Sequence, residues 1–81
     1  MKPEIKKGIY KHYKGKFYEV LHLAIHSETL EAMVVYKPLY KSDNYDADTL
    51  WVRPLTMFTE KVVVDGKLVD RFSFQKTSIE N

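Results

Sequence analysis

The dipeptide Asp65-Gly66 sits between Val62-Val63-Val64 and Leu68-Val69. No other feature constrains the fold as strongly, because a two-residue type I′ turn needs positive φ at both central positions. The turn sets a register in which Val64 faces Lys67, Val63 faces Leu68 and Val62 faces Val69. Continuing outward, Lys61 faces Asp70 and Glu60 faces Arg71, so two opposite-charge pairs fall opposite each other. Each such pair is worth about 0.2–1 kcal/mol, enough to favour the register.

The rest of the chain repeats this grammar. Val, Ile, Thr and the aromatic residues make up 28 of the 81 residues, a composition suited to pleated, half-buried strands. Turn-forming pairs recur at Lys14-Gly15, Ser27-Glu28 and Ser42-Asp43-Asn44. No segment keeps a helical apolar stripe over three turns. Strands are expected near 8–13, 17–26, 31–37, 49–53, 60–64 and 67–73. Pro54 closes the fourth, since it cannot donate a ladder hydrogen bond and holds Arg53 extended. Leu55 to Phe58 then reads as one helical turn. Closure hides exposed strand edges in so short a chain, so the expectation is an all-β, SH3-like barrel of five to six short antiparallel strands. Residues 1–81 form a single domain, with an ordered core about 8–74 and frayed ends at 1–7 and 75–81.

Composition removes several function classes. No apolar run approaches the ~18 residues of a membrane-spanning helix. The early lysines are followed by no apolar run of the kind a signal peptide carries. Cysteine is absent, which excludes disulfides and thiolate metal sites and points to the cytoplasm. Residues 1–16 carry six lysines and one glutamate, a net +5, while the remainder carries a net −3. Such an arm can steer an anionic partner or simply solvate the chain end.

Familiar chemistries fail one by one. His22 and His26 would lie about 13 Å apart along a strand, too far for one metal. The acidic loop Asp43 to Asp48 lacks the glycine and glutamate of a calcium-binding loop in either frame. Ser27, Ser42, Ser73 and Ser78 occupy turns, the last strand or the tail, and none sits in a glycine-flanked elbow. With only Gly8, Gly15 and Gly66, no phosphate-cradling loop can form. No catalytic residue, metal or cofactor is therefore assigned.

One set stands apart. Tyr10 and His12 share a face of the first strand, Tyr36 lies on the third, and Trp51 and Arg53 share a face of the fourth. If Leu50 and Val52 point to the core, Trp51 and Arg53 point away from it. A tryptophan beside an arginine offers a stacking surface and an anion donor together. The alternative is that these aromatics fill a small core while Arg53 pairs with a carboxylate.

The same residues carry a family resemblance. Gly8-Ile9-Tyr10-Lys11-His12-Tyr13-Lys14-Gly15, Tyr18-Glu19-Val20-Leu21, His26-Ser27-Glu28-Thr29, Val35-Tyr36, Leu39-Tyr40, Trp51-Val52-Arg53-Pro54-Leu55, Met57-Phe58 and Arg71-Phe72 occur in order. Over Gly8 to about Phe74 the chain resembles the small bacterial domain of unknown function family sixteen-fifty-three. The resemblance implies a compact β-rich domain, found alone or attached to others, with no established activity. It singles out Tyr10, His12, His26, Glu28, Thr29, Tyr36, Trp51 and Arg53. The stretch from Lys41 to Thr49 is longer than the family's usual link.

The leading expectation is a binding module whose patch takes an anionic small molecule, a peptide or nucleic acid. The alternatives are a small hydrolase-like enzyme pairing His12 or His26 with Glu28, and a structural, homo-oligomerising domain.

Overall fold

The computed structural model of the chain describes residues 3–41, 43–46 and 48–78. Seven strands and one helical turn follow in the order β1 (Gly8–His12), β2 (Phe17–Ile25), β3 (Ala32–Pro38), β4 (Trp51–Pro54), α1 (Leu55–Phe58), β5 (Lys61–Val64), β6 (Lys67–Asp70) and β7 (Phe72–Lys76). All pairings are antiparallel. The all-β expectation and the helical turn after Pro54 therefore hold.

The Asp65-Gly66 ribbon forms in the register that its turn dictates. Lys61 opposes Asp70, and Val62, Val63 and Val64 oppose Val69, Leu68 and Lys67. Asp65 (φ 51°) and Gly66 (φ 79°) both adopt positive φ, as a type I′ turn requires. Lys61 Nζ lies 2.8 Å from Asp70 Oδ1, and Arg71 Nη2 lies 2.7 Å from Glu60 Oε1.

Where one sixth strand was expected over 67–73, the chain bends at Arg71 and splits into β6 and β7. Arg71 N–H donates to Glu60 O, while Arg71 O accepts from Tyr13 N–H. The bend thus hands the chain from the ribbon to the main sheet. That sheet has the order β4-β3-β2-β1-β7, and β5-β6 form a separate pair. Among the described residues no ladder joins β4 to β7, so the sheet does not close into the expected barrel. It curls instead, and side chains bridge the opening.

The core lies inside this curl. Phe58, from α1, is 1% exposed and packs with Tyr10, Val20, Val34, Tyr36 and Phe72. The Phe58 and Phe72 rings stack at 4.1 Å and 3°, with Tyr10 and Tyr36 edge-on to Phe58. Aromatic rings thus do in this small core what many aliphatic side chains do in a larger one.

Two irregularities place the site. Register shifts between Val20 and His22, so Leu23, which strict alternation from Val20 would turn outward, packs against the core while His22 is exposed. A second shift between Ile9 and Tyr10 accompanies burial of both residues. Each is a β-bulge, which re-aims side chains without breaking the strand. Residues outside the expected core span of 8–74 also make contacts. Ile5 packs on the core, Lys6 O accepts a hydrogen bond from the Tyr10 hydroxyl, and Gln75 and Lys76 belong to β7. Residues 1–2 and 79–81, with Ser42 and Ala47, lie outside the described residues.

Candidate functional site

The β1–β2 turn builds the first wall. His12 N–H donates to Lys16 O, and Gly15 N–H donates to His12 O. Gly15 takes φ +107°, a conformation few other residues adopt. The turn also ties down the imidazole, because Lys14 N–H donates to His12 Nδ1 at 3.1 Å. The hydrogen-bond pattern therefore puts the proton of neutral His12 on Nε2, aimed away from the turn. Burial, followed by the charges of Arg53, Arg71 and Lys14, holds His12 below the ordinary imidazole value. The neutral form, which an ordinary imidazole already prefers at pH 7, is favoured further by this shift.

The His12 ring packs against Tyr13 at 4.6 Å, Phe72 at 4.9 Å and Tyr18 at 6.2 Å. Tyr18 also meets Tyr36 and Phe72 edge-on. Its hydroxyl shares a 3.1 Å hydrogen bond with that of Tyr40. Burial and this hydrogen bond raise the Tyr18 pKa far above its ordinary value, so the phenol is a fixed neutral group.

Arg53 completes the cluster from the other edge of the sheet. Its guanidinium lies over the Phe72 ring, 5.5 Å from the centroid, and Nε–H donates to the Tyr36 hydroxyl at 3.4 Å. Arg53 on β4 and Phe72 on β7 thus bridge the two sheet edges. Among the described residues Arg53 has no ion pair, and its Nη groups have no acceptor. A half-buried cation with free donors is poised to take an anion.

The face assignment on β4 is the reverse of the expected one. Trp51 opposes Tyr36 and Arg53 opposes Val34, which puts both on the core side of the sheet. Leu50 and Val52 are 55% and 60% exposed. A four-residue edge strand is too short for its own apolar pattern to fix the face; pairing with β3 fixes it.

The eight residues named from the sequence do not line one cleft. His12, Tyr36 and Arg53 come together around Phe72. Tyr10 is a core residue whose hydroxyl is engaged by the backbone. Trp51 is exposed and meets Tyr45 at 5.6 Å, in a shallow groove with Thr49, Leu50 and Val52.

His26, Glu28 and Thr29 build the β2–β3 turn. His26 Nδ1 accepts from Glu28 and Thr29 N–H at 3.1 and 3.3 Å, and Thr29 Oγ1 accepts from Glu31 N–H at 3.2 Å. Ser27 Oγ donates to Glu28 Oε1 at 3.1 Å. These bonds hold a tight turn in which Leu30 takes φ 62°. Eight residues separate His26 from Tyr18, the β2 neighbour of His12, or about 26 Å of extended strand. His12 and the His26–Glu28 pair therefore sit at opposite ends of β2, and the acid–base pairing of His12 with Glu28 is not assembled.

Sequence reasoning missed Tyr18, Tyr40, Phe72 and Arg71. Tyr18 was within reach, since a turn at Lys14-Gly15 pairs it with Tyr10 on the His12 face. Leu39-Tyr40 and Arg71-Phe72 belong to the family motifs, yet nothing local places Tyr40 and Phe72 beside His12, because only the curl of the sheet brings them in. Among the described residues no group of three His, Asp or Glu side chains could hold a metal, and no helix is long and apolar enough to cross a membrane.

Comparison with known proteins gives a relationship without an activity. A crystal structure of a DUF1653 protein from Bordetella bronchiseptica is similar to this chain. The TM-score is 0.79 and the identity 33%, covering 89% of this chain and 88% of that one. No curated protein matches. The family model described as "Protein of unknown function (DUF1653)" matches residues 8–74. That span runs from the glycine opening β1 to the Phe74 ring packed on Tyr10, and over it the chain belongs to the DUF1653 family.

Proposed function

We propose that this protein is a small, non-enzymatic binding module that takes an anionic group at Arg53. The observation that carries the reading is the unpaired guanidinium, half-buried over Phe72 and held by Tyr36. A cation in such a place forfeits hydration, and a carboxylate or phosphate would restore its hydrogen bonds. His12 adds a neutral Nε2–H donor to the same ring cluster. Lys14, on the same turn as His12 and without an ion pair among the described residues, adds positive charge.

A curled antiparallel five-stranded sheet, with one helical turn between β4 and β5 that plugs the curl with Phe58, supports reading the fold as an SH3-like barrel left open between β4 and β7. We assign the fold to that class and, lacking cysteine, the protein to the cytoplasm. The His12–Glu28 form of the acid–base alternative loses its basis with Glu28 at the far end of β2, and in the His26–Glu28 form the imidazole Nδ1 is engaged by the turn backbone.

The test is NMR titration with sodium pyrophosphate at constant ionic strength, following the arginine Nε–H and histidine side-chain signals. The expected result is a saturable shift of Arg53 and His12 that Arg53→Ala abolishes. Unchanged Arg53 signals, or equal shifts spread over the surface lysines, would overturn the proposal.

A further inference from the structure

The cation–aromatic arrangement does not stop at Arg53. Lys16 Nζ lies 4.7 Å from the centroid of the Tyr40 ring, and Tyr40 is hydrogen-bonded to Tyr18 inside the cluster. Lys14 Nζ lies 5.9 Å from the Tyr13 ring, which packs on His12. Contacts therefore link Arg53, through the buried Phe72 ring, to His12 and on to the Tyr40 and Tyr13 rings at the β1–β2 hairpin. Three cations border this ring cluster and make its surface cationic.

Its charge is uncompensated. Among the described residues Lys14, Lys16 and Arg53 have no carboxylate partner. Asp43, Asp46 and Asp48, in the loop between Tyr40 and β4, have no ion pair among the described residues, whereas three carboxylates on or beside the neighbouring strands are paired elsewhere. Glu19 lies 3.9 Å from Lys37, Glu60 pairs with Arg71, and Asp70 pairs with Lys61. Asp70 does face the groove of about 330 Å³ that Lys11, His12 and Tyr13 line together with Val64, Val69 and Ser73.

The shape of the surface selects among anions. Lys14 and Lys16 sit on the β1–β2 hairpin and Arg53 on β4, and among the described residues the three do not line one pocket, so an extended polyanion can engage more of them than a small ion can. Tyr13 is 39% exposed and offers a ring face beside a lysine. An acidic peptide would use the charges but not the rings. Phosphates separated by flat bases would use both, which is how sequence-tolerant single-strand binders work.

We infer that the hairpin tip (Tyr13, Lys14, Lys16), linked by these contacts to Tyr40, His12 and Arg53, binds single-stranded nucleic acid. The inference rests on the anion reading of Arg53 and names its ligand class. Lys14, Lys16 and Arg53 take backbone phosphates, and Tyr13 stacks on a base.

The experiment is fluorescence anisotropy of the full chain with oligo(dT) and oligo(U) probes of about 12 nucleotides. Three phosphate contacts give a salt slope near −2, so affinity should fall about 20-fold between ~50 and ~200 mM salt. Replacing both lysines, Lys14→Ala with Lys16→Ala, should reduce that fall to about threefold. Tyr13→Ala should weaken binding roughly tenfold, while Tyr13→Trp retains it. Thermal melting checks that each variant folds. A preference for oligo(U) assigns RNA and a preference for oligo(dT) assigns DNA; either supports the inference.

Salt-independent binding, equal binding by an oligoglutamate peptide, or no effect of Tyr13→Ala would overturn it. If pyrophosphate moves the Arg53 signals but neither oligonucleotide binds, this inference fails and the anion reading stands. If binding needs Lys14, Lys16 and Tyr13 but survives Arg53→Ala, the strand does not reach Arg53 and this inference fails, while the pyrophosphate titration alone decides the Arg53 reading.

Discussion

Phe58→Ala is the sharpest test of how this fold is held together. The ring is 1% exposed, stacks on Phe72 at 4.1 Å, and receives Tyr10 and Tyr36 edge-on at 5.4 and 5.5 Å. Truncating a buried phenylalanine costs about 3–5 kcal/mol, cavity included. A domain of this size has roughly 4–12 kcal/mol in total, so the variant should be close to unfolding. At about 4–8 °C per kcal/mol, the melting temperature should fall by ~12–40 °C. Phe58→Leu refills most of the volume without the stacked ring, and should cost about 1–2 kcal/mol. Val63→Ala, on the outer face of the ribbon and 68% exposed, should change stability by less than about 0.5 kcal/mol. Urea unfolding followed by circular dichroism reads all three. A loss below about 1 kcal/mol for Phe58→Ala would show that α1 does not plug the curl, and the account of the core would be wrong.

Gly8→Ala should destabilise far more than Gly66→Ala, because a methyl group on Gly8 would collide with Lys76 O across the β1–β7 ladder, whereas Gly66 faces open space. Gly66 pays only the left-handed backbone cost of about 1 kcal/mol, and equal urea midpoints for the two variants would refute the close approach. The lowered His12 pKa makes stability depend on pH. Unfolded histidine binds its proton near pH 6.5, while folded His12 resists it, so this contribution is full above that pH and is lost as pH falls through the folded value. His12→Gln should therefore lose less stability than the parent between about pH 7 and pH 5, and parallel pH profiles of the urea midpoint would contradict the assignment.

The sequence alone determined the local elements. Asp65-Gly66 fixed the ribbon, its register and both ion pairs, because positive φ and a two-residue loop leave one pairing. Pro54 fixed the end of β4 and the helical turn that delivers Phe58. The ordered motifs from Gly8 to Phe74 marked the family, and the family model covers the same residues.

The tertiary structure decided which side chains share a site. The bulge between Val20 and His22 changes which residues face the core beyond it, a change no alternating pattern announces. The face of β4 comes from its pairing with β3, so Leu50 and Val52, an apolar core pair by pattern, lie exposed. His26 and Glu28 look like acid–base partners in the chain, yet their side chains are spent on hydrogen bonds within the turn, and a nine-residue strand separates them from His12. The Arg53–Phe72 bridge exists only because the sheet curls until its two edges meet through side chains. Turn chemistry and pairing register act over a few residues and can be read from them; sheet curvature sums the twist of five strands, and no single residue carries it.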